Sequence, residues 1–210
     1  YMVASVTPVI LDPSILYVEI SSKIFYNGQS TDQTPAQIRD KVIGSVQSYL
    51  DTSDTEKFNG KFRYSKVVGV IDDTDRSINS NLTSVMMRKD FYPQLNSTFY
   101  YEVCFQNAFD EDCDDPVLSS TGFRVTEYPN FDVYVEDRAG KIVLYRLDSV
   151  TGEKVVLDSD IGDIDYATGE LKMYALTIIK GTYFDNRISL RVRPLSNDIK
   201  ALREVYLDVD

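Results

Sequence analysis

The chain has 210 residues, 43% hydrophobic and 26% charged, an ordinary globular composition that fits one large domain or two modest ones. Its 33 acidic against 22 basic side chains leave a net charge of −11, which repels a phosphate backbone and argues against nucleic acid as a partner. With no histidine and only two cysteines, most zinc sites, Ser-His-acid and Cys-His arrangements and histidine acid–base chemistry are excluded.

The opening Tyr1-Met2-Val3-Ala4-Ser5-Val6 reads like the inside of a strand, so the expectation is a chain that continues from a preceding segment. Ile15 to Phe25 is rich in β-branched and aromatic residues with partial alternation, which predicts a strand with one buried face. Asn27-Gly28 marks a turn, and Thr34-Pro35 supplies an N-cap followed by proline at the first helical position. Ile38, Val42, Val46 and Tyr49 then recur at helical spacing, with Ile43 and Leu50 widening the stripe, so a helix is predicted over 35–51. A shorter helix is predicted from Tyr64 to Ile71, ended by the acidic turn Ile71-Asp72-Asp73-Thr74-Asp75, and a strand from Leu82 to Lys89.

Beyond Pro93 the apolar runs are short, aromatic or β-branched, and separated by Gly, Asn or Asp. Strands are predicted at Phe99–Phe105, Phe131–Glu136, Lys141–Leu147, Lys154–Leu157, Gly169–Tyr174, Leu176–Ile179 and Ile188–Val192, with a final one in the tail around Leu202, Val205 and Leu207. Two turns, Ser149–Lys154 and Tyr166–Lys172, share Thr-Gly-Glu, where glycine supplies the positive φ of a tight hairpin, and predict two hairpins in one sheet system. The fold class read from this order is α+β: a small strand-helix-helix-strand unit over 1–93, then a β-rich meander or sandwich over 94–210. No stretch approaches the roughly 20 apolar residues of a membrane-crossing helix, so no membrane partner is expected.

Few residues carry chemistry. In the acidic stretch Asp110-Glu111-Asp112-Cys113-Asp114-Asp115, the carboxylates of Asp110, Asp112, Asp114 and Asp115 are weak candidates for a hard cation such as calcium. An EF-hand loop would need a central glycine and a closing glutamate that are missing, and a solvated connector explains the same residues. Asp72, Asp73 and Asp75, with Asp158, Asp160, Asp163 and Asp165, would serve glycoside hydrolysis only if two of them faced each other across a cleft; capping of turns is the plainer reading. Cys104 reads as a buried strand thiol and Cys113 as an exposed loop thiol, with a disulfide between them the lesser alternative. No glycine-rich phosphate loop occurs, and no cofactor is expected. Of the 15 tyrosines and 10 phenylalanines, the run Phe99, Tyr100 and Tyr101 is the interface candidate: successive strand residues alternate in face, so at least one ring points away from the inner face.

The run Thr34-Pro35-Ala36-Gln37-Ile38-Arg39-Asp40-Lys41-Val42-Ile43, then Tyr49-Leu50, Asn59-Gly60-Lys61-Phe62-Arg63-Tyr64-Ser65-Lys66-Val67, the acidic turn at Ile71–Asp75, Ile78-Asn79-Ser80-Asn81-Leu82, and a strand carrying Arg88 and Lys89 resemble the baseplate J-like family. Within it they are similar to the C-terminal part of the large baseplate wedge subunit of T-even-like contractile-tail bacteriophages, and Gly162–Gly169 resembles that subunit's β-rich end. The resemblance implies a baseplate J-like unit over 1–93 and a structural, non-enzymatic late protein of the virion, made in the bacterial host cytoplasm and built into the tail baseplate. It also implies a homodimer that links neighbouring wedges and contacts other wedge and tail subunits, and it brings no active site. The competing reading is a β-rich receptor or carbohydrate-binding module, favoured by an exposed aromatic run and disfavoured by the absence of tryptophan.

Overall fold

The computed structural model describes residues 14–53, 60–111, 115–201 and 205–209. The strand reading of Tyr1–Val6 lies outside them, as do Asp112, Cys113 and Asp114. The elements are β1 (Ser14–Tyr26), α1 (Pro35–Thr52), β2 (Lys61–Phe62), α2 (Tyr64–Asp72), β3 (Ile78–Phe91), β4 (Thr98–Cys104), β5 (Leu118–Ser120), β6 (Phe123–Val125), β7 (Tyr128–Arg138), β8 (Lys141–Leu147), β9 (Lys154–Asp165), β10 (Glu170–Lys180), β11 (Ile188–Val192), β12 (Ile199–Lys200) and β13 (Val205–Val209). Among the described residues no helix is long and apolar enough to cross a membrane.

This corrects the α+β assignment. Of the described residues 52% lie in strands and 15% in helices, and their centre is a five-stranded barrel with many strands outside it. The ring closes as β7–β6–β10–β9–β8 and back to β7, each neighbour antiparallel. The strand-helix-helix-strand order does not build a separate mixed sheet, because β1 and β3 belong to the same eleven-stranded sheet that runs through β11 and β5 into the barrel. Nor is the β-rich part a sandwich: its consecutive strands β7 to β10 curl until β6 closes them, and a barrel this small is filled by inward side chains such as Val133, Val135, Ile142, Leu144, Leu171 and Ile178. Strand periodicity fixes which residues face inward but is the same for a flat, stacked or closed sheet. Two short strands, β5 and β6, escape a sequence reading because three residues are too few to show alternation.

α1 starts where its cap stands. Thr34 accepts from the Gln37 backbone amide at 3.3 Å, Gln37 accepts from the Thr34 amide at 2.8 Å, and Pro35 occupies the first turn, where its missing N–H costs nothing. Ile38, Val42 and Leu50 form its buried stripe, and α1 packs beside α2. Thr34→Ala is expected to lower the urea-unfolding free energy by about 1 kcal/mol, as loss of a side-chain cap does elsewhere.

α2 has no side-chain cap in its own sequence. Its first amide, Tyr64 N–H, donates instead to the Asp198 carboxylate at 2.9 Å, from a residue 134 positions away. A carboxylate at a helix N-terminus also complements the helix dipole. The Tyr64 hydroxyl donates to the Thr83 carbonyl at 2.9 Å, and Val67 and Ile71 are buried against the sheet. β12 reinforces the arrangement by pairing with β2, Ile199 opposite Phe62, both fully buried.

Candidate functional site

Three regions hold the groups that could do chemistry or make contacts. The first is the candidate aromatic run on β4, a strand that pairs with β10 alone among the described strands. Tyr100 is 77% exposed and Phe99 43% exposed. Tyr101 is half-buried, its ring 5.4 Å from Phe91 and 6.5 Å from Phe99, so Phe99 and Tyr101 share one face while Tyr100 points to the other. Burial pushes the Tyr101 hydroxyl's pKa up, against a hydrogen bond with the Gln94 backbone that lowers it. Cys104 closes the strand as a free thiol that is half-buried rather than buried, 4.0 Å from a Glu170 carboxylate oxygen.

The second is an open cleft of about 900 Å³ at the barrel rim, lined among others by Asp110, Asp115, Glu136, Asp137, Lys154 and Tyr166. Two of the four cation candidates, Asp110 and Asp115, therefore reach one cleft; the other two, Asp112 and Asp114, lie outside the described residues. Asp110 faces the Arg193 guanidinium at 3.4 Å, and the same arginine donates to the Asp115 carbonyl at 3.3 Å. Among the described residues no group of three or more acidic or thiol side chains is placed to hold a metal ion. The cleft floor is a neutralised polar network. Buried Glu136 accepts from Arg138 at 2.7 Å and Lys154 at 2.5 Å, while buried Asp137 accepts from the Leu118 backbone amide at 2.7 Å and the Tyr166 hydroxyl at 2.8 Å. Burial, and then the Asp137 hydrogen bond, push the Tyr166 hydroxyl up to about 12.

The third is a cross-strand lattice of charge. Glu19 on β1 accepts from Arg88 of β3 and from Arg191 of β11, each at 2.7 Å, and Asp90 pairs with Arg88 at 3.3 Å and Arg187 at 3.2 Å. The Arg88 guanidinium also lies over the Tyr17 ring at 4.1 Å. Burial opposes ionisation of Glu19, yet hydrogen bonds from Arg191 and Arg88 outweigh it and hold its carboxyl below the usual range. Such partly buried charge-assisted bonds favour one strand register over others.

The remaining aspartates sit in turns and surface ion pairs. Asp75 is held well below the usual carboxylate range by a Lys41 hydrogen bond at 2.6 Å and by Ser77. Asp163 is lowered by Lys141 at 2.8 Å and by the Tyr174 hydroxyl, and Asp165 by the Thr168 and Ala167 amides. Asp72 accepts from the Asn81 side-chain amide at 2.7 Å, and Asp158 from the Asp160 backbone amide at 3.0 Å. A general acid of a glycosidase needs a raised proton affinity, and the shifts of Asp75, Asp163 and Asp165 run the other way.

Glu19, Glu136, Asp137 and Tyr166 were not singled out by sequence reasoning. Apart from Arg138, two residues from Glu136, their partners lie 18 to 172 positions away, and an isolated Glu or Asp within a strand carries no local signal of the distant lysine, arginine or amide it will meet.

Residues 14–90, from the start of β1 through all but the last residue of β3, match the model of the family described as baseplate structural protein gp6, C-terminal domain III. The chain is also similar to the baseplate wedge protein gp6 of Enterobacteria phage T4, 32% identical over 95 residues, which is 44% of this chain. The match spans 14% of that protein's length. The matched segment contains α1 with its capping box, α2, and the two strands that Glu19 and Arg88 tie together. The β1-to-β3 part of this chain is thus similar to C-terminal domain III of the baseplate structural protein gp6.

Proposed function

We propose that this chain is a structural, non-enzymatic piece of the baseplate wedge of a contractile-tail phage, placed in the virion tail and made late in infection in the host cytoplasm. It works by offering packed surfaces: self-association joins neighbouring wedges, and further faces contact other wedge and tail subunits. The observation that carries this reading is the match of residues 14–90 to the gp6 domain III family, with 32% identity to the T4 wedge protein alongside it. Kinship with baseplate J-like proteins at large, and a unit boundary near residue 93, belong to the same proposal; the family match ending at residue 90 supports the boundary. The geometry agrees, because the carboxylates are neutralised by cations and amides rather than poised for proton transfer.

The test is sedimentation of the purified chain at micromolar concentration, alone and mixed with the neighbouring baseplate subunits of the same phage. A dimer, or a complex with those subunits, is expected. A strictly monomeric profile to high concentration together with no complex overturns the proposal.

A further inference from the structure

β1 leaves the sheet at Tyr26 and runs into a turn whose residues, Asn27 to Ser30, are all exposed. Asn27 is held there by its backbone on two sides: its N–H donates to the Ser77 carbonyl at 2.8 Å, and its carbonyl accepts from the Ser30 N–H at 3.1 Å. Its side chain folds forward as well, Oδ1 accepting from the Gln29 N–H at 3.0 Å. A hydrogen bond of that span closes around the residue in between, so the Asn27 carboxamide is held over the peptide unit of Gly28.

The groups gathered in this turn are reactive toward one another. Among the described residues Gly28 N–H has no acceptor, and a Cβ added to Gly28 would meet nothing within 4 Å, so its nitrogen is open to solvent and to the neighbouring carboxamide. Glycine also lacks the side chain that hinders a backbone nitrogen from closing onto the residue before it. The Gln29 N–H polarises the Asn27 side-chain carbonyl and stands where an oxyanion would form if Cγ were attacked.

We propose that Asn27 is a site of spontaneous covalent modification, at which the Gly28 nitrogen displaces the side-chain amide and converts the asparagine to isoaspartate and aspartate. Solvent hydroxide takes the Gly28 amide proton, the nitrogen bonds to Asn27 Cγ, and the Cγ–Nδ2 bond breaks as ammonia leaves with a proton from water. Water then opens the succinimide ring. Opening at the backbone carbonyl routes the chain through Cγ, one methylene longer and with a free α-carboxylate; opening at Cγ leaves aspartate. No oxidant or reductant enters, and the net charge becomes one unit more negative than −11.

Other asparagines lack this combination. Asn107 precedes Ala108 and is tied through its side chain to both backbone groups of Lys200. After Asn186 the Arg187 N–H is already donated to the Asp185 carboxylate at 3.1 Å, and after Asn79 Ser80 is paired with Phe25 in the sheet. Asn96 is exposed, but Ser97 follows it where Asn27 has glycine. The second Asn-Gly of the sequence has its asparagine, Asn59, outside the described residues. The chemistry belongs to the turn and is independent of the baseplate reading.

The test is incubation of the whole folded chain at mildly alkaline pH for the time that converts half of the Asn27 in the same chain unfolded in guanidinium, followed by mass spectrometry of the tryptic peptide 24–39, which carries a single asparagine. The folded chain is expected to gain about 1 Da at residue 27, with isoaspartate exceeding aspartate, while Asn107 keeps its amide. Gly28→Ala is expected to slow the gain about tenfold or more without moving the urea midpoint, because the added methyl meets nothing and Gly28 is not at positive φ. An Asn27 that keeps its amide in the folded chain overturns the proposal. So does a product of aspartate alone, which would come from direct hydrolysis, and so does a gain that Gly28→Ala leaves unchanged.

Discussion

Gly169→Ala is expected to lower the unfolding free energy by about 3 kcal/mol or more, whereas Gly152→Ala lowers it by only about 1 kcal/mol. Both glycines close the same local turn. Asp148 and Asp165 each accept two backbone amides two and three residues on, Gly152 and Gly169 each donate to the carbonyl of that aspartate, and both glycines sit at φ +72°. A methyl group at either position therefore meets the same left-handed backbone penalty. Only at Gly169 does it also meet another part of the chain, because a Cβ there would fall well inside contact distance of the Asn107 carbonyl oxygen, while around Gly152 there is open space.

Asn107 is not free to give way. Its side chain donates to the Lys200 carbonyl at 3.0 Å and accepts from the Lys200 amide at 3.2 Å. The loop on either side is anchored by Phe105 N–H to the Gly169 carbonyl, by Phe109 N–H to the Tyr166 carbonyl, and by the edge-to-face packing of the two buried phenyl rings at 5.4 Å. Urea denaturation of the two variants side by side is the measurement. Equal losses would show that the loop after β4 yields at little cost.

Asp137→Ala is expected to cost about 2–5 kcal/mol, the sum of leaving two buried hydrogen-bond donors without an acceptor. The Leu118 amide at the start of β5 and the Tyr166 hydroxyl both depend on this one carboxylate, and Tyr166 in turn accepts from the Gly140 amide at 3.3 Å. Asp137→Asn, which keeps an acceptor, is expected to recover part of the loss.

The network also sets an alkaline limit. The folded-state pKa of Tyr166 is raised from 10.0 to about 12, so its neutral form is favoured by folding. That contribution is fully present below pH 10 and is lost as pH rises through about 12. In Asp137→Ala the hydrogen-bonded part of the shift disappears, so the stability difference between wild type and variant is expected to narrow over that window. Urea midpoints measured from pH 9 to 12 check this, and a difference that stays constant would remove Tyr166 from the account.

Local features were legible wherever the chain carries its own instruction. The Thr34-Pro35-Gln37 cap placed α1 to within a residue, and β8 and β11 occupy the ranges predicted for them, because each is a run of apolar residues bounded by turn formers. Longer strands look like fragments in the sequence: the stretches ending at Tyr174 and beginning at Leu176 form a single β10, whose register shift against β4 breaks the alternation between them. The fold class departs from the α+β expectation because helix-to-strand order says nothing about which strands become neighbours. β1 finds β3 and β13, and β3 finds β11 about a hundred residues later.

The candidate sites divide in the same way. Phe99, Tyr100 and Tyr101 were legible as an alternating aromatic run, while the cleft residues Glu136, Asp137 and Tyr166 were not, since a buried carboxylate is marked by its partners rather than by its own neighbours in sequence. Contacts within about four residues hold everything that can be read along the chain, namely the capped α1 and the two Asp-to-Gly hairpin turns, while composition adds the charge and the missing imidazole that narrow the chemistry. Tertiary structure alone decided that α2 takes its cap from Asp198, that Gly169 but not Gly152 is sterically locked, and that five strands close into a barrel. The physical reason is range: turn and cap hydrogen bonds close between near neighbours, whereas strand pairing and carboxylate neutralisation depend on which distant segments the buried core brings together.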